Sequence, residues 1–253
     1  MIRQILFPGL LETGRAHDGI FAIRDGFVNL FVLEAEGGLV CIDAGWNLRR
    51  IRRGFDALGF KVDDVVAVCL THLDWDHARG LNLFPNADAF AGEHEIPARS
   101  PGRRGSPKPL IPDTAVEEES TRSRSRLRGL GASTAASRLI PVRDGQTLTR
   151  AGITVRVIET PGHTRGSVSY LVADRFLFTG DTVRLRRGEA LPFWSIFNRD
   201  RGALEGSIRK LSRIDGIECL LTGHTGLSRD VADSFRRWRQ PASDAPKAEA
   251  HQP

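Results

Sequence analysis

A chain of 253 residues with 40% hydrophobic side chains can bury a substantial core, and it suits one large domain, residues 1–240, better than two small ones. A net charge of +5 does not single out nucleic acid as a partner, because the excess arginines gather at residues 99–128 and 236–239. No segment approaches the roughly 20 apolar residues of a membrane span, and the first residues do not read as a signal peptide, so a cytoplasmic protein without a membrane partner is expected.

Taken from the start, residues 2–6 read as a strand and residues 8–19 as a loop containing His17 and Asp18. Two β-rich runs follow, 27–35 and 39–43, and the Glu36-Gly37-Gly38 between them is a hairpin signal. The second run ends in Ile42-Asp43-Ala44-Gly45. Asp43 there is either a turn former before glycine or a group that orients a metal-binding histidine. The spacing of Leu48, Ile51, Phe55 and Leu58 predicts a helix over residues 48–58, which Gly59 would stop.

Residues 65–70 are apolar and rich in β-branched side chains, the pattern of a buried strand. Directly after them come His72, Asp74, Asp76 and His77. In extended backbone the first three share one side, with His77 turning out beside them. Four donors gathered where a strand emerges from its sheet read as a metal site. The rival reading is a solvated, charged loop with incidental histidines.

A short strand is expected at residues 87–91, and residues 97–138 then change character. Pro, Gly, Ser and charge dominate there, including the arginine run 122–128, and the segment reads as a flexible insertion, a lid or solvated cap. Strands are expected again at 153–158, 168–173, 176–179 and 219–221, and a helix over 202–213 with Leu204, Ile208 and Leu211 buried. Three of the later β-rich segments run into short glycine-containing turns that each carry one metal-competent side chain: His163, Asp181 and His224. Cys41, Cys69 and Cys219 stand singly in apolar runs and read as core thiols. Residues 241–253 read as a disordered tail.

Taken in order, the turn Ile42-Asp43-Ala44-Gly45, the run from His72 to His77, Pro161-Gly162-His163, Gly180-Asp181 and Gly223-His224 resemble the motif series of the metallo-β-lactamase superfamily of binuclear metallohydrolases. The resemblance covers roughly residues 20–230 apart from the insertion. It implies an α/β (α+β) fold, a four-layer αββα sandwich of two mixed β-sheets. It also implies that His72 and His163 bind one metal, that Asp76, His77 and His224 bind a second, and that Asp181 bridges both. Two zinc ions are expected, with iron or manganese as alternatives.

Position 74 departs from the family's pattern, which usually has a second histidine where this chain has Asp74. A carboxylate is a harder and shorter ligand than imidazole. If Asp74 reaches the first metal it shifts preference toward iron or manganese; if it does not, the first site is weakened.

The activity implied is hydrolysis of a small ester, lactone, thioester or amide by a metal-activated water, with Asp76 and Asp181 as the catalytic residues and Asp76 as the proton acceptor. The rivals are a di-iron oxidoreductase of the same fold and a non-catalytic metal-binding module. A small-molecule substrate is expected, selected by the lid and by residues 191–194, and nucleic acid is disfavoured as a partner.

Overall fold

The computed structural model describes residues 9–96 and 139–239. The chain opens as an antiparallel meander of β1 (Gly14–His17), β2 (Ile20–Asp25), β3 (Val28–Ala35) and β4 (Gly38–Ile42). Ala35 pairs with Gly38, so the expected hairpin closes over Glu36 and Gly37 alone. Beyond β4 the pairing turns parallel: β5 (Val65–Cys69), β6 (Asp88–Gly92) and β7 (Leu139–Val142) bring this sheet to seven strands among the described residues.

A parallel neighbour needs a crossover connection, and α1 (Leu48–Leu58) supplies the one between β4 and β5. Asn47 caps it by accepting from the Arg50 N–H at 3.1 Å, and Gly59 ends it in the left-handed region at φ 75°. Its buried face is Ile51, Gly54 and Phe55. Leu48, expected on that face, lies in the first turn and is exposed.

The second sheet has, among the described residues, six strands: β8 (Thr147–Arg150), β9 (Ile153–Glu159), β10 (Val168–Val172) and β11 (Phe176–Phe178) in antiparallel succession, then β14 (Cys219–Thr222) parallel to β11, and β15 (Gly226–Ser228) at the edge. Between β11 and β14 run a two-stranded ribbon, β12 (Val183–Arg186) with β13 (Glu189–Pro192), and the helix α2 (Arg201–Ser212), which buries Leu204, Ile208 and Leu211 as its spacing predicts. Two short helices, α3 (Val231–Ser234) and α4 (Arg236–Arg239), close the described chain.

Strand alternation divides the apolar side chains into three layers. Ile42, Cys69, Tyr170, Cys219 and Leu221 fill the space between the sheets. Cys41, Ile51, Phe55 and Val68 pack α1 on the outer face of the first sheet, while Leu220, Leu204, Ile208 and Trp238 pack helices on the outer face of the second. This is the expected αββα sandwich, and all three cysteines are buried and free.

Two further expectations are corrected. Residues 8–19 are not all loop, since β1 forms at Gly14–His17, and the backbone of the ligand run is not extended throughout, because Trp75–Ala78 make one helical turn that starts at Asp74. The strand expected at 2–6, the insertion at 97–138 with its arginine run, and the tail at 241–253 lie outside the described residues. Among the described residues no helix is long and apolar enough to cross a membrane.

The site is positioned by two parallel strand pairs, β4 with β5 and β11 with β14, each of which delivers two chain segments to one edge of its sheet. Asp43 N–H donates to Cys69 O at 3.0 Å and Ala44 N–H to His77 O at 2.6 Å; Gly223 N–H donates to Gly180 O at 3.3 Å. The sheets are then joined at this edge, by Val168 N–H to Thr71 O and by Asn29 N–H to Gly223 O, both at 2.8 Å.

Below the edge, the buried Tyr170 hydroxyl donates to Leu70 O at 2.9 Å. Tyr170→Phe leaves that carbonyl unsatisfied and is expected to lower stability by about 1–3 kcal/mol. Urea unfolding checks it, with the midpoint falling and the slope unchanged.

Candidate metal centre

Seven predicted residues arrive at this edge from four loops. His72, Asp74, Asp76 and His77 follow β5, His163 follows β9, Asp181 follows β11 and His224 follows β14. Two glycines allow the approach. A Cβ on Gly180 would lie 2.4 Å from Thr71 Oγ1, and one on Gly162, at φ 138°, would lie 2.4 Å from the Leu204 backbone.

The donors fall into two adjoining groups. In the first, His163 Nε2 is 3.2 Å from Asp74 Oδ2, His72 Nε2 is 3.8 Å from the same oxygen, and Asp181 Oδ2 is 3.9 Å from His72 Nε2 and 3.6 Å from His163 Nε2. In the second, Asp76 Oδ2 is 3.9 Å from His77 Nε2 and 3.5 Å from His224 Nε2, while Asp181 Oδ1 is 3.4 and 3.3 Å from these nitrogens. The single helical turn at Trp75–Ala78 makes the division, turning Asp76 and His77 away from Asp74 toward His224. Asp74 therefore sits in the first group, and Asp181 presents one oxygen to each.

The imidazoles are held from behind. Asp43 is a non-glycine residue at φ 61°, a conformation that aspartate tolerates better than most. Its Oδ2 lies 2.8 Å from His77 Nδ1, and its carboxylate accepts from both the N–H and the hydroxyl of Thr71. Because that hydroxyl donates to Asp43, its oxygen is left to accept from His72 Nδ1 at 3.0 Å. His224 Nδ1 donates to Phe27 O at 2.7 Å, and His163 Nδ1 lies 3.3 Å from Asn198 Oδ1. In each case the contact on Nδ1 turns Nε2 toward the carboxylates.

His72 Nε2 is buried and has no hydrogen-bond partner among the described residues. A buried imidazole nitrogen aimed at two carboxylates without bonding either fits a metal ligand. The electrostatics agree. Burial works against charge on His77, His224 and His163, but the carboxylates outweigh it: Asp181, Asp43 and Asp76 raise His77 well above its usual range, Asp181 with Asp76 raises His224, and Asp74 with Asp181 raises His163. Asp181 goes the other way. Burial would raise it, yet His224 and His77 hold it well below the ordinary carboxylate range. His72 is lowered, first by burial and then by its neighbouring imidazoles. The cluster attracts positive charge in whatever form is offered.

Other residues that shape the site carried no motif. Glu95 ties the loops of the first group together, accepting from Leu73 N–H and Gly166 N–H at 3.1 Å each and from the Thr164 hydroxyl. Phe27, Trp46 and Trp75 form an aromatic cluster beside His224, and Phe193, from the expected 191–194 segment, packs on His163 and His224. His17 packs on Phe176, at the start of the strand whose other end leads to Asp181, and His94 is exposed.

Comparison with known proteins gives the family and the fold. The chain is 30% identical over 147 residues to the probable polyketide biosynthesis zinc-dependent hydrolase BaeB of Bacillus velezensis, a match that covers 57% of this chain and 49% of that protein. It is 36% identical over 84 residues to a hydroxyacylglutathione hydrolase of Brucella ovis, covering 33% and 31%. The match thus spans less than half the length of these curated relatives. Among solved structures, a B3 metallo-β-lactamase described as the first with an active site glutamic acid superposes with a TM-score of 0.60 at 17% identity, over 94% of this chain and 92% of that one. A metallo-β-lactamase family protein of Thermus thermophilus gives 0.58 at 22%, over 88% and 78%. At these identities the likeness is one of fold. A family model, however, described as the metallo-beta-lactamase superfamily, matches residues 23–235, and the chain belongs to that superfamily.

Proposed function

We propose that this chain is a hydrolase with a binuclear metal centre, acting on a small ester, lactone, thioester or amide. The observation that carries the reading is the placement of Asp181, whose two oxygens face two separate donor groups. The hydrolase relatives support it. His72, Asp74, His163 and Asp181 Oδ2 would hold one ion, and Asp76, His77, His224 and Asp181 Oδ1 the other. Four imidazoles among the donors favour zinc.

When bound, the ions supply Lewis acidity, which makes water acidic near neutral pH and stabilises negative charge developing on a substrate oxygen. The chain's residues supply the rest. Asp76, whose burial raises its proton affinity above the usual carboxylate range, stands in the second group and would take a proton from the attacking water. Asp43 and Thr71 fix the ring planes of His77 and His72, and Asn198, itself anchored to Phe193 O at 2.7 Å, fixes His163. Phe27 and Phe193 cover His224 and limit the entry of bulk water.

One observation favours a second reading, a di-iron oxidoreductase: the first group has two carboxylates for two imidazoles, and oxygen donors shift preference toward harder ions. Elemental analysis of the purified protein, with hydrolysis of a lactone, thioester and ester panel, separates the two. The hydrolase reading expects about two zinc ions per chain and turnover that chelation abolishes. Stoichiometric iron with oxygen consumption would overturn it.

Three substitutions extend the test. Asp181→Asn removes charge from both groups and is expected to lower metal content and to reduce kcat/KM by about 100-fold or more. Asp74→Ala is expected to reduce the metal from about two ions to one, by elemental analysis. Asp43→Asn keeps a residue that accepts φ 61° while weakening the hold on His77. It is expected to weaken metal binding by about 10–100-fold in competition with a chromogenic chelator.

A further inference from the structure

Two aromatic clusters meet at His224. In the first, Phe27 lies nearly parallel to the His224 ring, with centroids 5.9 Å apart and planes at 9°. Trp75 meets Phe27 at 5.8 Å and Trp46 at 5.1 Å, both edge to face. In the second, Phe193 meets His163 at 5.2 Å and His224 at 5.3 Å, and Trp194 and Phe197 pack on it at 4.8 and 6.0 Å. Phe193 is buried, but core packing does not account for the outer members of these clusters. Trp75 is 40% exposed, Phe197 54% and their neighbour Ile196 81%, so large apolar side chains face water beside a polar, carboxylate-rich centre.

The first cluster is also held rigidly. Asp25 is fully buried, and its Oδ2 accepts from the Trp46 and Asn47 N–H groups at 2.7 Å each. Its backbone carbonyl accepts from Trp46 Nε1 at 3.1 Å. Two residues on, Phe27 O holds His224 Nδ1. One hairpin turn thus fixes an aromatic surface and a candidate ligand together, the kind of preorganisation that favours binding. Two cations lie near these rings: Arg50 over Trp46 at 5.7 Å, and Arg184 over Trp194 at 5.5 Å while donating to Pro192 O.

We infer that this surface is the acyl subsite: the substrate is an ester or thioester of an apolar, aryl or alkyl, acid, and Trp75, Phe27 and Phe197 determine that specificity. The inference rests on the hydrolase reading for the reaction, but not for the apolar ligand. A buried alkyl or aryl group gains favourable contact with rings, whereas a charged or heavily hydroxylated acyl group would lose its hydration there.

Two measurements test it on the full-length, metal-loaded protein. The first compares kcat/KM for acetyl, butanoyl, phenylacetyl and octanoyl thioesters of one thiol. The apolar acyl groups are expected to exceed acetyl by on the order of tenfold or more, and Trp75→Ala and Phe197→Ser are each expected to shrink that ratio several-fold. The second needs no turnover. Trp46, Trp75 and Trp194 are three of the chain's four tryptophans, so intrinsic fluorescence reports on this surface. Octanoate is expected to give a saturable change that acetate does not, and Phe197→Ser is expected to weaken it. Turnover with no acyl preference and no saturable octanoate signal would overturn the inference while leaving the hydrolase reading intact. A saturable octanoate signal without hydrolysis of any substrate would overturn the hydrolase reading and with it the acyl-subsite assignment, keeping only an apolar-ligand surface.

Discussion

A buried carboxylate must be compensated, and at this centre Asp181 sets the terms. Removing an ionised group from water costs several kcal/mol unless opposite charge or hydrogen bonds restore what was lost. Asp181 is buried beside Asp76 and Asp74, with Asp43 behind His77, so neighbouring acids add to the demand. The imidazoles of His77 and His224 answer part of it, which is why their proton affinity rises while that of Asp181 falls. Much of the surrounding architecture serves this arrangement. Parallel pairing of β4 with β5 and of β11 with β14 brings the acids and imidazoles to one edge, and Asp43 accepts a left-handed backbone to reach His77 and Thr71 at once.

Much of this is legible in the sequence because the chemistry is concentrated. Apolar runs ending in Gly-Asp or Gly-His announce β11 and β14, and the periodic apolar face with the stop at Gly59 bounds α1 to the residue. What the sequence hides obeys a different logic. β2 is not evident although Ile20 to Ile23 are all buried, because four apolar residues after a glycine do not declare a strand until β1 and β3 are there to pair with it. β12, β13 and β15 are short and carry charged or small residues, and their pairing arises from tertiary context.

The same contrast holds inside the site. His72, Asp74, Asp76 and His77 are recognisable as donors from their spacing, but strand periodicity places three of them on one side, and the helical turn at Trp75 divides them two and two. The supporting residues are harder to see. Thr71, Glu95 and Asn198 act through a few hydrogen bonds across large separations in sequence, and such contacts leave no periodic trace. Asp74 shows how a residue that breaks a pattern can still keep its place. Its carboxylate approaches His163 and His72 from the start of that turn, so the change from imidazole alters the hardness of the first group more than its membership.

The candidate ligands are drawn from both sheets: His72 to His77 from the first, and His163, Asp181 and His224 from the second. Ions held by all of them would cross-link the two halves of the sandwich at the edge where backbone hydrogen bonds such as Val168 N–H to Thr71 O and Asn29 N–H to Gly223 O also join them. Their binding energy would then count toward folding as well as chemistry, about 4 kcal/mol when the free ion stands a thousandfold above its dissociation constant. Metal supply would then bear on how much of the protein persists in the folded state, beyond any part the ions take in chemistry.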